Sequence, residues 1–135
     1  GLQGRWQIVS TSPTVICDTG HNTGGMQYIA RQLNETPHKE LRIVIGMVND
    51  KDISGVIAML PTQATYYFTQ ASVARAMKAE EIARIGAEHG LKGTIHTTVA
   101  EAYRAARADS NSDDVIFVGG STFVVADFLK DCVEK

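Results

Sequence analysis

Cysteine is scarce. The 135 residues hold two, Cys17 and Cys132, which form neither a CxxC pair nor a metal-type cluster. A disulfide framework is therefore excluded as the source of stability, and a reducing, cytoplasmic setting fits best. The four histidines, His21, His38, His89 and His96, make no i, i+4 or HxH pair, so no metal-binding motif is present. An excess of positive charge is lacking too: 13 Lys and Arg stand against 15 Asp and Glu, a formal net charge of −2. Nonspecific nucleic-acid affinity comes from neutralising phosphates, so nucleic acid is not expected as a partner. No apolar run approaches the ~20 residues of a membrane span, and no charged segment with an apolar core opens the chain, so no membrane partner is expected. The first residue is Gly1 rather than methionine; with Leu2 it reads as the end of a linker, as in a piece cut from a longer chain.

What is present is an alternation of two periods. At 44% hydrophobic content the chain is long enough for one domain with a real core, and residues 1–135 read as a single domain. Short apolar runs at 14–17, 41–47, 65–69, 94–97 and 115–118 read as strands. Between them come helical spacings: Met26, Ile29, Ala30 and Leu33; Ile53, Val56, Ile57 and Leu60; Ala79, Ile82, Ala83 and Gly86. Residues 99–107 add a helix with the small face Ala102, Ala105 and Ala106, and Val124, Val125, Phe128, Leu129 and Cys132 mark a last one. Strands alternating with amphipathic helices predict an α/β three-layer sandwich: a mostly parallel sheet with helices on both faces. Residues 5–10 reach the strand at 14–17 through a short turn, which predicts one antiparallel edge strand.

In such sheets ligands sit outside the carboxyl ends of the strands, which singles out the loops 18–25, 49–52, 70–78 and 119–122. In the first, Asp18 emerges just past a strand, where a carboxylate can accept both hydroxyls of a ribose or simply form the turn. His21 can donate to a phosphate or carboxylate, and Asn22 reads as a helix cap. The glycines match neither GxGxxG nor GxxxxGK[ST]. In the second loop Asp52 reads as an N-cap, and Lys51, beside two aspartates, as a locally paired surface charge. In the last, Ser121 is a natural N-cap, and Phe123 breaks the G-x-S-x-G pattern of a nucleophile elbow. Arg31, Arg42, Arg84, Arg104 and Arg107 read as solvated charges. Arg5 and Arg75 stand apart, beside strand ends.

In order along the chain, Gly4-Arg5-Trp6-Gln7, Asp18-Thr19-Gly20-His21-Asn22, Gly46-Met47-Val48-Asn49-Asp50-Lys51-Asp52, Arg75-Ala76 and Gly119-Gly120-Ser121 together resemble the carboxy-terminal domain of the folylpolyglutamate synthase family. Its bacterial form is often bifunctional with dihydrofolate synthase, and it belongs to the Mur ligase superfamily. The resemblance covers nearly the whole chain. It implies an ATP-dependent ligase that joins L-glutamate to a dihydropteroate or folate carboxylate through an acyl phosphate, releasing ADP and phosphate. It further implies that a central domain of the same parent chain carries the phosphate loop and most of the magnesium and pterin sites. No such loop occurs here, so the fragment alone is not expected to catalyse.

Carried onto this sequence, the resemblance makes Arg5 the linker arginine that reaches ATP phosphates and Asp18 the aspartate that holds the ribose hydroxyls. His21 and Ser121 fall on the side of the glutamate or the transferring phosphate, which makes Arg5 and His21 the catalytic candidates. The roles of Lys51, Asp52 and Arg75 do not follow. Two positions depart from the family: Thr23 where proline is usual, losing a preset φ at the first helical turn, and Gly20 where alanine is common, which is expected to loosen the turn. Two other readings share the fold: the corresponding domain of a cell-wall Mur-type ligase, and a non-catalytic nucleotide-binding module. A third reading is a purely structural domain whose polar loops are turn chemistry.

Overall fold

The computed structural model describes residues 4–49 and 52–133; Lys51 and the Gly1-Leu2 start lie outside them. Strands β1 (Gln7–Ser10), β2 (Thr14–Asp18), β3 (Leu41–Ile45), β4 (Thr65–Phe68), β5 (Lys92–Ile95) and β6 (Val115–Gly119) form one sheet in the order β1-β2-β6-β3-β4-β5. All pairings are parallel except β1 with β2. Helices α1 (Thr23–Glu35), α2 (Ile53–Ala58), α3 (Ala79–Glu88), α4 (Val99–Asp109) and α5 (Thr122–Phe128) complete the sandwich.

Because successive strand side chains face opposite ways, the core divides into two layers. Ile16, Ile43, Ile45, Phe68 and Phe117 pack on α1 to α3 through Met26, Ile29, Leu33, Ile57 and Ile82. Val15, Cys17, Val44, Ile116 and Val118 pack on α4 and α5 through Val99, Ala102, Ala106, Val124 and Phe128. The expected three-layer architecture with an antiparallel edge strand is therefore the one observed.

Several local expectations change, among them β3, which ends at Ile45 rather than at residue 47. The fifth strand is Lys92–Ile95, not 94–97, and all four of its residues are exposed. On that open edge no alternation marks the boundaries, and Thr98, whose side chain accepts from Glu101 N, is drawn into capping α4. The last helix does not run evenly to Cys132 but widens into a π-helical turn over Leu129–Val133. Arg42 is not a solvated charge. Its side chain is only 13% exposed and pairs with the buried Asp114 at 3.4 Å, while Nη1 donates to the Tyr67 hydroxyl at 3.2 Å.

The glycines at the strand ends make room for backbone. At Gly120, with φ +104°, a Cβ would lie 2.2 Å from the Gly46 carbonyl oxygen, so the ends of β6 and β3 approach closely only because no side chain intervenes. Gly20 differs from expectation, since its φ lies outside the left-handed region; a Cβ there would press on Ile29 Cδ1 at 2.8 Å. The atom met is the end of a flexible side chain, so a methyl here asks only for a shift of Ile29, and turn freedom is not what the position uses.

Candidate functional site

β2 delivers Asp18 to the carboxyl edge of the sheet, where it is 6% exposed. Its carboxylate bridges two segments: Oδ1 accepts from Gly20 N at 2.7 Å and Oδ2 from Trp6 N at 2.9 Å. A second link joins the same segments, Thr19 N donating to the Gly4 carbonyl at 2.8 Å. Of a carboxylate's roughly four lone-pair positions, these two bonds occupy two, so each oxygen keeps one for a ligand hydroxyl.

The entering chain is bent to meet that carboxylate. Gly4 and Trp6 both have positive φ, +81° and +43°. For glycine this costs little; for a tryptophan the left-handed region costs about 1–2 kcal/mol. The strain is offset by the Asp18 bond and by packing of the indole on Phe117, with ring centroids 6.3 Å apart. Arg5 sits between the two left-handed residues, exposed, and makes no ion pair among the described residues.

A surface cleft of about 580 Å³ opens here, and Arg5, Trp6, Asp18, His21, Asn22 and Tyr28 are among the residues lining it. His21 is exposed, its Nδ1 3.3 Å from the Thr19 carbonyl oxygen, which is a hydrogen bond if that nitrogen carries the proton. Asn22 caps α1 by accepting from Gly25 N at 2.8 Å, as its residue type suggests, so α1 has a capped start despite Thr23 at its first position. His21 also borders a narrow notch with Met47, Val48 and Gly120. It thus stands between the loops that follow β2, β3 and β6.

Arg5, Asp18 and His21 are therefore gathered on one cleft. Ser121 is not among its lining residues: it is buried, and its hydroxyl accepts from Val124 N at 3.1 Å as the N-cap of α5. Asp52 likewise caps α2 through Gly55 N. Arg75 lies over the Phe123 ring at 5.9 Å, and its carbonyl accepts from Asn49 N at 3.2 Å, which ties the third loop to the second. Among the described residues no group of three His, Cys, Asp or Glu side chains could hold a metal ion, and no helix is long and apolar enough to cross a membrane.

Two cleft residues were missed in the sequence. Trp6 falls within the entering segment 5–10 and the Gly4-Arg5-Trp6-Gln7 stretch, but no binding role follows for it from the sequence. Tyr28 lies off the buried stripe Met26, Ile29 and Leu33 and is 46% exposed; an aromatic outside a helix's apolar stripe was the available signal. Its ring carries the Arg31 guanidinium at 5.8 Å. With Trp6 it adds aromatic surface to a cleft that also offers a carboxylate for hydroxyls and a guanidinium for anions.

A mostly parallel sheet with polar groups converging at the carboxyl ends of its strands defines an α/β domain of the doubly wound kind, a fold that takes ligands at those ends. The chain belongs to the Mur ligase, glutamate ligase domain family, whose model matches residues 4–122. It is 36% identical over 131 residues to the dihydrofolate synthase/folylpolyglutamate synthase of Escherichia coli strain K12, covering 96% of this chain and 30% of that protein. Two solved structures share the fold over 96% of this chain and 31% of their own. One is E. coli FolC in complex with DHPP and ADP, TM-score 0.88 at 34% identity. The other is the bifunctional folylpolyglutamate synthase/dihydrofolate synthase of Yersinia pestis complexed with AMPPNP and Mn ion, TM-score 0.85 at 32% identity. The chain thus spans under a third of the length of these relatives.

Proposed function

We propose that this chain is the C-terminal domain of an ATP-dependent ligase that adds L-glutamate to the carboxylate of dihydropteroate or a folate. The observation that carries the reading is the convergence of Arg5, Asp18 and His21 on one cleft of a glutamate ligase domain. Asp18 takes the ribose hydroxyls with its two remaining acceptor positions. Arg5 supplies positive charge to the ATP phosphates, where charge neutralisation and alignment dominate the chemistry. His21, at the meeting of three loops, faces the glutamate or the phosphoryl group in transfer. Ser121 remains a substrate-side residue of the closed enzyme although it lies outside this cleft: its oxygen caps α5, and its hydroxyl proton is the part left for a ligand.

Residues 1–135 act as one domain and work against an upstream ATP-binding domain of the same parent chain, which supplies the phosphate loop and the magnesium ligands. Closure of the two excludes water from the activated carboxylate. Alone, this domain binds and orients but does not catalyse. Its setting is cytoplasmic.

The test is ATP- and glutamate-dependent phosphate release by the full-length parent, supplied with dihydropteroate or a reduced folate, wild type against Asp18→Ala. Activity with a pteridine, with the KM for ATP raised at least ~10-fold by the loss of a charged hydrogen-bonding group, supports the reading. Inactivity with both pteridines overturns the substrate class and directs the assay to cell-wall precursors. Activity indifferent to Asp18 overturns the site.

A further inference from the structure

Asp18 does more in this structure than wait for a ligand. The β1–β2 ladder, whose register shifts between Ile8 and Ser10, ends at the pair Gln7 and Cys17. Trp6 then turns into the left-handed region, so its N–H points away from the backbone ladder, and the Asp18 side chain takes the place of a strand partner at 2.9 Å. The other oxygen of the same carboxylate holds Gly20 N at 2.7 Å. One nearly buried carboxylate therefore pins both the entering chain and the loop that leads to His21. Between the pinned Trp6 and Gly4, itself held through Gln7 Oε1 at 2.8 Å and Thr19 N at 2.8 Å, lies Arg5. Its backbone is fixed on both sides, while its exposed side chain stays free to reach outward.

We propose that Asp18 is the positioning residue for Arg5: by holding the Trp6 amide it sets the direction in which Arg5 projects, so that a ligand bound to Asp18 and the guanidinium of Arg5 are coupled through one carboxylate. The kinetic side of this inference rests on the ligase reading; the structural side does not. A hydroxyl donating to Asp18 shares an oxygen with a backbone amide, so binding there adjusts the clamp on the residue next to Arg5. A contact-only Asp18 would influence affinity for the nucleotide. A positioning Asp18 also influences turnover once the nucleotide is saturating, because the misdirected arginine no longer meets charge as it develops.

Asp18→Asn tests this in the full-length parent. The amide keeps the shape but can accept with only one atom, so one of the two backbone donors loses its partner. Expected is a kcat at saturating ATP reduced about 10- to 100-fold, the scale of a misplaced catalytic group. The double variant Asp18→Asn/Arg5→Ala should turn over no more slowly than Arg5→Ala alone, since the two changes disable one device. Asp18→Glu keeps the charge but displaces the carboxylate; it should behave as Asp18→Asn does, and it serves if that variant fails to fold.

An independent readout is the ¹⁹F resonance of Trp6, the only tryptophan of this chain, in 5-fluorotryptophan-labelled parent, assigned by its loss in Trp6→Phe. It should shift or broaden in the Asp18 variants without any nucleotide. A kcat unchanged at saturating ATP with only KM raised, effects that multiply in the double variant, or a Trp6 resonance unmoved in folded Asp18→Asn would each overturn the proposal. A parent that releases no phosphate under any condition would refute the ligase reading but leave the Trp6 resonance to decide the clamp.

Discussion

Replacing Asp114 with alanine should destabilise the domain strongly although the residue lies at the pole opposite the cleft. Asp114 is 1% exposed. Its Oδ2 accepts from Asn111 N at 2.9 Å and faces Arg42 Nη2 at 3.4 Å, and its Oδ1 accepts from Glu40 N at 3.2 Å. The carboxylate thus joins the starts of β3 and β6, and Arg42 continues the network to the Tyr67 hydroxyl, which donates to Asp109 at 2.7 Å. Removing it orphans two amide donors and leaves a largely buried guanidinium with Tyr67 as its remaining partner. Breaking a buried pair in this way costs about 3–5 kcal/mol, a large part of the ~5–15 kcal/mol of a typical domain. At this chain length that is a fall of roughly 10–20 °C in Tm. Asp114→Asn keeps the shape and one acceptor but still leaves one amide donor unpaired and the Arg42 charge without its counter-ion, so it should lose somewhat less, about 2–3 kcal/mol.

The pH dependence follows from the direction of the Asp114 pKa. The amide of Asn111 first, then that of Glu40 and the Arg42 charge, hold the carboxyl below its ordinary value. A lowered folded pKa means that the ionised group stabilises the fold above its unfolded pKa of ~3.9, and that this contribution is lost as pH falls through the folded value. Urea unfolding of the chain from pH 7 to pH 3 should therefore show the gap between wild type and Asp114→Asn constant above about pH 5 and closing below pH 4. A loss under ~1 kcal/mol in Asp114→Ala, or a gap that does not narrow in acid, would refute the reasoning.

Gly120→Ala should cost at least ~2–3 kcal/mol, because φ of +104° is combined with a Cβ placed 2.2 Å from a backbone oxygen that cannot move aside; an unchanged urea midpoint would show that the ends of β3 and β6 do not approach as described. Cys17 is fully buried, and desolvation, with the neighbouring Asp18 charge, pushes its pKa up to about 11. At pH 8 only about a thousandth of it is thiolate. In Cys132→Ser, labelling of Cys17 by a disulfide reagent should therefore track global unfolding, and rapid stoichiometric labelling of the native chain would contradict its burial.

Much of the fold was legible because burial imposes period. Met26, Ile29 and Leu33, or Val124, Val125 and Phe128, can recur as they do only if one helix face is dry, and the strand runs are apolar throughout because helices cover both faces. The caps were legible as well: Asn22, Asp52 and Ser121 bind amides three residues away, so the whole interaction lies within a short window. Where neither burial nor a local bond operates, as along exposed β5, the boundary slipped by two residues. Arg42 was misread because its partners Tyr67 and Asp114 are 25 and 72 residues distant.

By itself the sequence determined the α/β class, the antiparallel entry strand and the loops that hold polar groups, since each follows from side-chain period and from turn and cap chemistry among near neighbours. Only the tertiary structure decided which polar groups share a cleft. It separates Ser121, turned inward as a cap, from Arg5, Asp18 and His21, and it brings Trp6 and Tyr28 to the cleft from a strained turn and a helix flank. It also gives the Asp18 carboxylate its second task, because a bond between an aspartate and an amide twelve residues earlier exists only when the chain has folded back along a sheet edge, and no pattern of adjacent residues encodes that distance.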